Sequence, residues 1–256
     1  MQPSARTRLA VLLAALACAA CGSERGLRRH AAPGPWRDGL SAQARDPWQW
    51  GVEGGLLVAL PVAFAFDDEL RDEALDHDAF QHDGRHVEDE WADALAYTPL
   101  ALGLFEATRG DEGRAFEVAA ESLAATLLAS QALKLTFDRE RPGGGGESFP
   151  SGHTSRAFMG ATFVGRWVDQ RWDSKLGYLA WLPAAGVGLA RMQHDLHWAS
   201  DVVAGALLGT LLTNLIWNAH YGPGEHALYG EAPKAAWRVE PLAYQGGVGL
   251  SLSVSL

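Results

Sequence analysis

Apolar residues in this chain come in blocks separated by charged punctuation. Six blocks stand out: 48–66, 93–107, 115–135, 155–170, 176–192 and 202–219. Their length and Ala/Leu content favour helices. No strand alternation appears among them and no internal repeat is visible, so the pattern predicts an all-α bundle of about six core helices. The period changes at the end, where Val248, Leu250, Leu252, Val254 and Leu256 alternate with Gly and Ser. That is the period of a strand. Gln245-Gly246-Gly247 can turn it back on 237–244, which predicts a short C-terminal β-hairpin. Two strands cannot close a barrel, so the hairpin is an appendage.

The charge-free windows inside the blocks mostly fall short of the about 17–25 residues that a membrane span needs. Val202 to Trp217 comes nearest and begins directly after Asp201. A soluble bundle is therefore expected. The first residues have the layout of an export signal: Arg6 and Arg8, an apolar run from Leu9 to Ala17, then small residues. Ala19-Ala20-Cys21-Gly22-Ser23 looks like a lipoprotein cleavage box, with Cys21 as the lipidated residue. The alternative is an ordinary signal peptide cut near Ala20. The only two cysteines, Cys18 and Cys21, lie here, which leaves a mature chain without an internal disulfide. The expected organisation is a signal peptide over 1–21, a Pro- and Arg-bearing tether over 22–47, a helical domain over 48–222 and a C-terminal extension over 223–256. The implied location is the bacterial cell envelope, with membrane association through the lipid anchor. The oligomeric state is not legible.

A net charge of −10 argues against a nucleic-acid partner but leaves room for a basic pocket that takes a small anion. The acidic stretch 67–93 holds twelve carboxylates and His77, His82 and His86. It has no recognisable ligand spacing and reads as a solvated connection, with no metal site and no cofactor expected.

Three short stretches carry chemistry. Lys134 precedes Arg141-Pro142 by seven residues, about two helical turns, so a helix running to the proline puts both cations on one face. The sequence FPSGHT places Ser151, Gly152 and His153 at a turn after four glycines. It lacks the Gly-x-Ser-x-Gly elbow of a serine nucleophile and the Gly-Lys-Ser/Thr of a Walker loop. Arg191 is followed by His197 and Asp201, whose i, i+4 spacing puts them on one helix face, where the carboxylate can orient the imidazole.

Together, Lys134-LTFDRE-Arg141-Pro142, Pro150-Ser151-Gly152-His153 and Ala190-Arg191-MQHDL-His197-WAS-Asp201 resemble the phosphatidic acid phosphatase type 2 superfamily, which includes bacterial acid phosphatases and lipid phosphatases. The resemblance covers about 118–210. It implies a metal-independent phosphatase acting on small or lipid phosphomonoesters. Lys134, Arg141, Arg191, Ser151 and Gly152 would bind the phosphate, His197 would attack, Asp201 would orient it, and His153 would protonate the leaving alcohol. Two departures stand out: Ala190 replaces the motif serine, and the gap from Pro142 to Pro150 is short. The alternatives are a non-catalytic, envelope-anchored anion-binding or structural protein on the same bundle and, more remotely, a vanadate-dependent haloperoxidase-like protein.

Overall fold

The computed structural model describes residues 33–76, 87–111, 113–222, 236–244 and 247–255. The signal-peptide segment, Cys21 and His77, His82 and His86 lie outside the described residues. In chain order the helices are α1 (Pro33–Arg45), α2 (Pro47–Ala65), α3 (Asp67–Asp76), α4 (Val87–Ala107), α5 (Arg114–Phe137) and α6 (Gly152–Trp172). A 3₁₀ turn (Lys175–Ala180), α7 (Trp181–Gln193) and α8 (Ala199–Tyr221) complete the bundle. The six blocks appear as α2, α4, α5, α6, the 3₁₀ turn plus α7, and α8. The C-terminal strands β1 (Ala236–Tyr244) and β2 (Gly247–Ser255) pair antiparallel, with Trp237 opposite Val254 and Tyr244 opposite Gly247.

α8 is the central element, packed against α6, α1, α2 and α5. Two apolar clusters make the core. One joins Ala115, Val118 and Ala119 of α5 to Phe163 of α6 and to Ile216 and Trp217 of α8. The other joins Ala92 of α4 to Ala157 and Ala161 of α6 and to Ala184 and Val187 of α7. These positions are largely alanine, so the helices approach closely. The contact of α6 with α8 brings backbone against backbone. A Cβ on Gly205 would fall 2.7 Å from the Ser151 carbonyl oxygen, and one on Gly209 would overlap the Ser155 carbonyl. The start of α6 is therefore pressed against α8 with no side chain between the two backbones.

The second half of the expected tether is structured. Residues 33–45 form α1, which packs on α8, and a Cβ on Gly39 would lie 3.0 Å from the Ala219 nitrogen. Pro33 and Pro35 obscured this helix in the sequence, yet proline in a first turn removes only donors that have no intrahelical partner. The acidic stretch also begins as a helix. α3 turns 86° from α2 at Phe66, so the pair is no straight span. Among the described residues, α8 is the one helix long and apolar enough to cross a membrane, and most of it is buried inside the bundle.

Replacing Gly209 with Ala is expected to cost about 1–3 kcal/mol through backbone overlap, read as a lower urea midpoint. Gly54→Ala, where a Cβ meets nothing within 4 Å, is the control and should be neutral or stabilising.

Candidate active site

α5 stops earlier than the Lys134–Arg141 spacing suggests. Asp138 caps it in the left-handed conformation at φ 39°, and its N–H bonds the Lys134 carbonyl. Arg141 thus lies in the following loop, and the two cations do not share a helix face. The loop brings them together by folding back. Ser148 N donates to Arg139 O at 2.7 Å, and the Lys134 ammonium donates to the carbonyls of Glu147 and Ser148, each at 3.1 Å. Gly144, Gly145 and Gly146 make this return with φ of 84°, 76° and 78°, values that suit glycine and strain other residues. Burial, and then the neighbouring Arg141, hold the Lys134 ammonium below its ordinary pKa. The Arg141 Nε is buried with no hydrogen-bond partner among the described residues.

The far side of this loop is pinned to the third motif. Gly143 N donates to Asp195 O at 2.9 Å, and the Asp195 carboxylate takes a two-pronged ion pair from Arg71 at 2.6 and 2.8 Å. A Cβ on Gly143 would come within 2.9 Å of that carboxylate, so the first glycine is required for contact as well as flexibility.

Ser151 is the N-cap of α6. Its oxygen accepts from Thr154 N at 3.4 Å and from the Thr154 hydroxyl at 2.9 Å, and its own N–H donates to Asp201 O at 3.0 Å. The amides of Gly152 and His153 follow in the first turn, where a helix has no acceptors for them and carries its partial positive charge. Such a terminus suits an anion.

His197 and Asp201 meet, but by a different route from a shared helix face. His197 precedes α8, in a turn where the amides of Leu196 and His197 both bond the Arg191 carbonyl, at 3.1 and 3.2 Å. Asp201 is the third residue of α8 and reaches back to cap it, accepting from Trp198 N at 2.9 Å. Its Oδ2 then lies 3.5 Å from His197 Nδ1. His197 is 3% exposed and Asp201 0%. Burial pushes the Asp201 carboxyl up, but hydrogen bonds from His197, Ser148 and the Trp198 amide outweigh it and hold the group below the usual carboxylate range. Burial, against the pull of Asp201, holds the His197 imidazole below its ordinary pKa.

Three participants escaped the sequence reading. Ser148 is wholly buried, donates to Asp201 Oδ2, and lies 3.4 Å from His197 Nδ1. Arg139 donates to Asp201 Oδ1 at 2.9 Å, to Ser200 Oγ at 2.6 Å and to Asp67 Oδ2 at 2.7 Å, with Phe64 and Trp198 against its guanidinium. Asp67, the first residue of the supposedly solvated acidic stretch, is buried and accepts from Ser200 N and Oγ. The one available signal was Arg139's place inside the Lys134–Arg141 spacer.

On the other side, Arg191 and His153 share a carboxylate. Asp89 Oδ1 accepts from Arg191 Nη1 at 2.6 Å and lies 3.2 Å from His153 Nε2. Burial, then the charges of Arg191, Arg156, His197 and Arg141, pull the His153 pKa down to about 2. All eight residues singled out from the motifs thus fall in one region, where the α6 N-terminus meets the 138–148 loop and the α7–α8 turn. Among the described residues no group of three or more His, Cys, Asp or Glu is placed to hold a metal ion.

Residues 143–224 match the PAP2 superfamily, the family that the motifs resemble, and the match contains the second and third of them. Among individual proteins, the lipid A 1-phosphatase of Porphyromonas gingivalis is 41% identical over 85 residues, 32% of this chain and 18% of that one. Lipid phosphate phosphatase 1 of Arabidopsis thaliana is 33% identical over 119 residues, 43% of this chain and 35% of that one. Diacylglycerol pyrophosphate phosphatase 1 of Saccharomyces cerevisiae is 27% identical over 108 residues, 38% of this chain and 37% of that one. The chain thus spans less than two-fifths of the length of each of these relatives. A solved structure, the transmembrane PAP2-type phosphatidylglycerolphosphate phosphatase from Bacillus subtilis, superposes with a TM-score of 0.47 at 19% identity. It covers 64% of this chain and 93% of that one.

Removing Arg139 leaves two buried carboxylates without their shared cation, a loss expected to cost about 3–5 kcal/mol. Arg139→Ala should therefore lower the urea midpoint strongly and Arg139→Lys less so. Equal stability of Arg139→Ala and the wild type would contradict the network.

Proposed function

We propose that the chain is an exported, metal-independent phosphatase that hydrolyses phosphomonoesters, lipid phosphates foremost, through a phosphohistidine. The observation that carries this is the convergence of Lys134, Arg141, Arg191 and the α6 N-terminus on a buried His197–Asp201 pair. A transferring phosphoryl group spreads charge over three equatorial oxygens, and positioned cations and amides stabilise that charge. These groups compensate the charge without calling on a metal.

His197 is the nucleophile. With Nδ1 turned to Asp201, Nε2 is the free atom, and burial keeps the ring neutral as attack requires. Nε2 bonds phosphorus as the ester P–O bond breaks, and His153 delivers its proton to the departing alkoxide. Water then attacks the phosphohistidine, His153 takes a proton from it, and the N–P bond breaks to release inorganic phosphate and restore His197. Ser151, with its oxygen accepting from Thr154, keeps its own O–H for a phosphate oxygen, beside the Gly152 amide.

Two further features favour a lipid. Phe64 and Phe137, both about half exposed, pack against Phe149 with ring centroids 5.7 Å (tilted) and 5.0 Å (edge-on) away, and Phe149 directly precedes the Pro150–His153 motif. Leu57, Val58, Val62, Phe66 and Leu135 extend the exposed apolar surface along α2 and the end of α5. Several relatives are named as lipid phosphatases. Lipidation at Cys21 would hold this surface at a membrane of the cell envelope.

Wild-type protein should release phosphate from phosphatidic acid in mixed micelles and from p-nitrophenyl phosphate, undiminished by EDTA. His197→Ala should lower the rate by at least about three orders of magnitude. Equal inertness of both proteins on both substrates would remove the proposal, and loss of activity in EDTA would remove its metal-free form.

The acid limb of kcat/KM reports His197 in the free enzyme. Because burial lowers its pKa, protonation and loss of activity should set in below the ordinary imidazole value of about 6.5. A limb centred near 7 or above would contradict the neutral nucleophile.

A further inference from the structure

The geometry points to Asp89 as a specificity-determining residue that disfavours substrates whose leaving group carries its own negative charge, such as diphosphates. This rests on the phosphatase reading and refines its substrate class.

His153 is the group that protonates the leaving oxygen, so that oxygen must come within about 3 Å of an imidazole nitrogen. Next to Nε2 the protein already places an anion, Asp89 Oδ1 at 3.2 Å, and the same oxygen takes the Arg191 Nη1 donor at 2.6 Å. The carboxylate thus stands at the junction between phosphate cradle and leaving-group acid. Its side chain is 44% exposed, so the carboxylate faces solvent beside His153.

The cation that balances it, Arg191, is also one that would bind the phosphoryl group. Asp89 and Asp93 lie one turn apart on α4, facing His153 and Arg156 at the start of α6. Arg156 is paired with Asp93 at 3.2 Å, which leaves Asp89 to share Arg191 with the bound phosphoryl group. A neutral alcohol leaving beside His153 brings no charge to this junction. With a terminal diphosphate the leaving group is a phosphate, and its negative oxygens arrive one phosphate's width from the Asp89 carboxylate. In a partly exposed site that repulsion is worth about a ten-fold loss. Asparagine has the same shape and still accepts from Arg191 and from His153, so Asp89→Asn removes the charge with little else.

The test is a matched pair, farnesyl phosphate and farnesyl diphosphate in one detergent, with phosphate release giving kcat/KM for each. In the wild type the monophosphate should be preferred. Asp89→Asn should raise the ratio of diphosphate to monophosphate kcat/KM about ten-fold, and the charge-conserving Asp89→Glu should keep the wild-type ratio. A ratio that Asp89→Asn leaves within two-fold of wild type, including a parallel fall on both substrates, overturns the inference and makes Asp89 a structural support for His153. Wild-type inertness on this pair and on p-nitrophenyl phosphate removes the phosphatase reading itself, and the selectivity with it.

Discussion

A carboxylate taken out of water costs several kcal/mol unless its oxygens are fully satisfied, and Asp201 is wholly buried. Four groups meet that demand: the Arg139 guanidinium, the Ser148 hydroxyl, the Trp198 amide and the His197 ring. They come from two stretches of chain, the 138–148 loop and the turn that leads into α8, so satisfying one carboxylate ties the two together. Arg139 passes the constraint on to Asp67 and so to the start of α3. The main-chain bond from Ser151 N to Asp201 O passes it to the start of α6. The α6 N-terminus and the histidine are held in register through this one residue.

The same arrangement shows how much of the molecule could be read in advance. The helical blocks were legible because their apolar runs are long and uninterrupted, and the eight motif residues were legible because their spacings are distinctive. What escaped depended on three-dimensional closure. Asp67 and Ser200 are 133 residues apart and meet only after the bundle forms. Arg139 occupies a spacer position that a motif treats as arbitrary. Ser148 sits among glycines and a proline, where a serine ordinarily signals a turn. α1 was hidden because its prolines look like linker chemistry until their place in a first turn is known.

Two expectations put the right residues together by the wrong local geometry. Lys134 with Arg141, and His197 with Asp201, were each assigned to one helix face from their spacing. In both pairs a helix end intervenes: Asp138 closes α5, and α8 begins only after His197. At helix ends the chain can change direction, and at an N-terminus it offers amides without partners, which suit an anion. The loop can then carry Arg141 back over Lys134 at an angle that a continuous helix does not allow. The cost is a chain that must reverse tightly, which explains the three consecutive left-handed glycines and the close seat of Gly143 against Asp195.

Gathering cations for a phosphate also poses a problem for the acid. Burial first, and then the cations that would bind the substrate, strip the proton from His153, whose pKa falls to about 2. Under the proposed chemistry His153 must nonetheless donate a proton. The two requirements are reconciled if the substrate supplies the missing charge. A bound phosphate dianion neutralises Arg191 and Arg141, two of the cations acting on His153, and an anion near an imidazole favours its protonated form. Under the proposed chemistry, substrate binding thus raises the His153 pKa in the direction that proton donation needs. His197, screened by burial and turned towards Asp201, stays neutral for attack. Two histidines within one electrostatic environment are thereby pushed towards opposite roles, and what separates them is which one faces the phosphate and which the buried carboxylate.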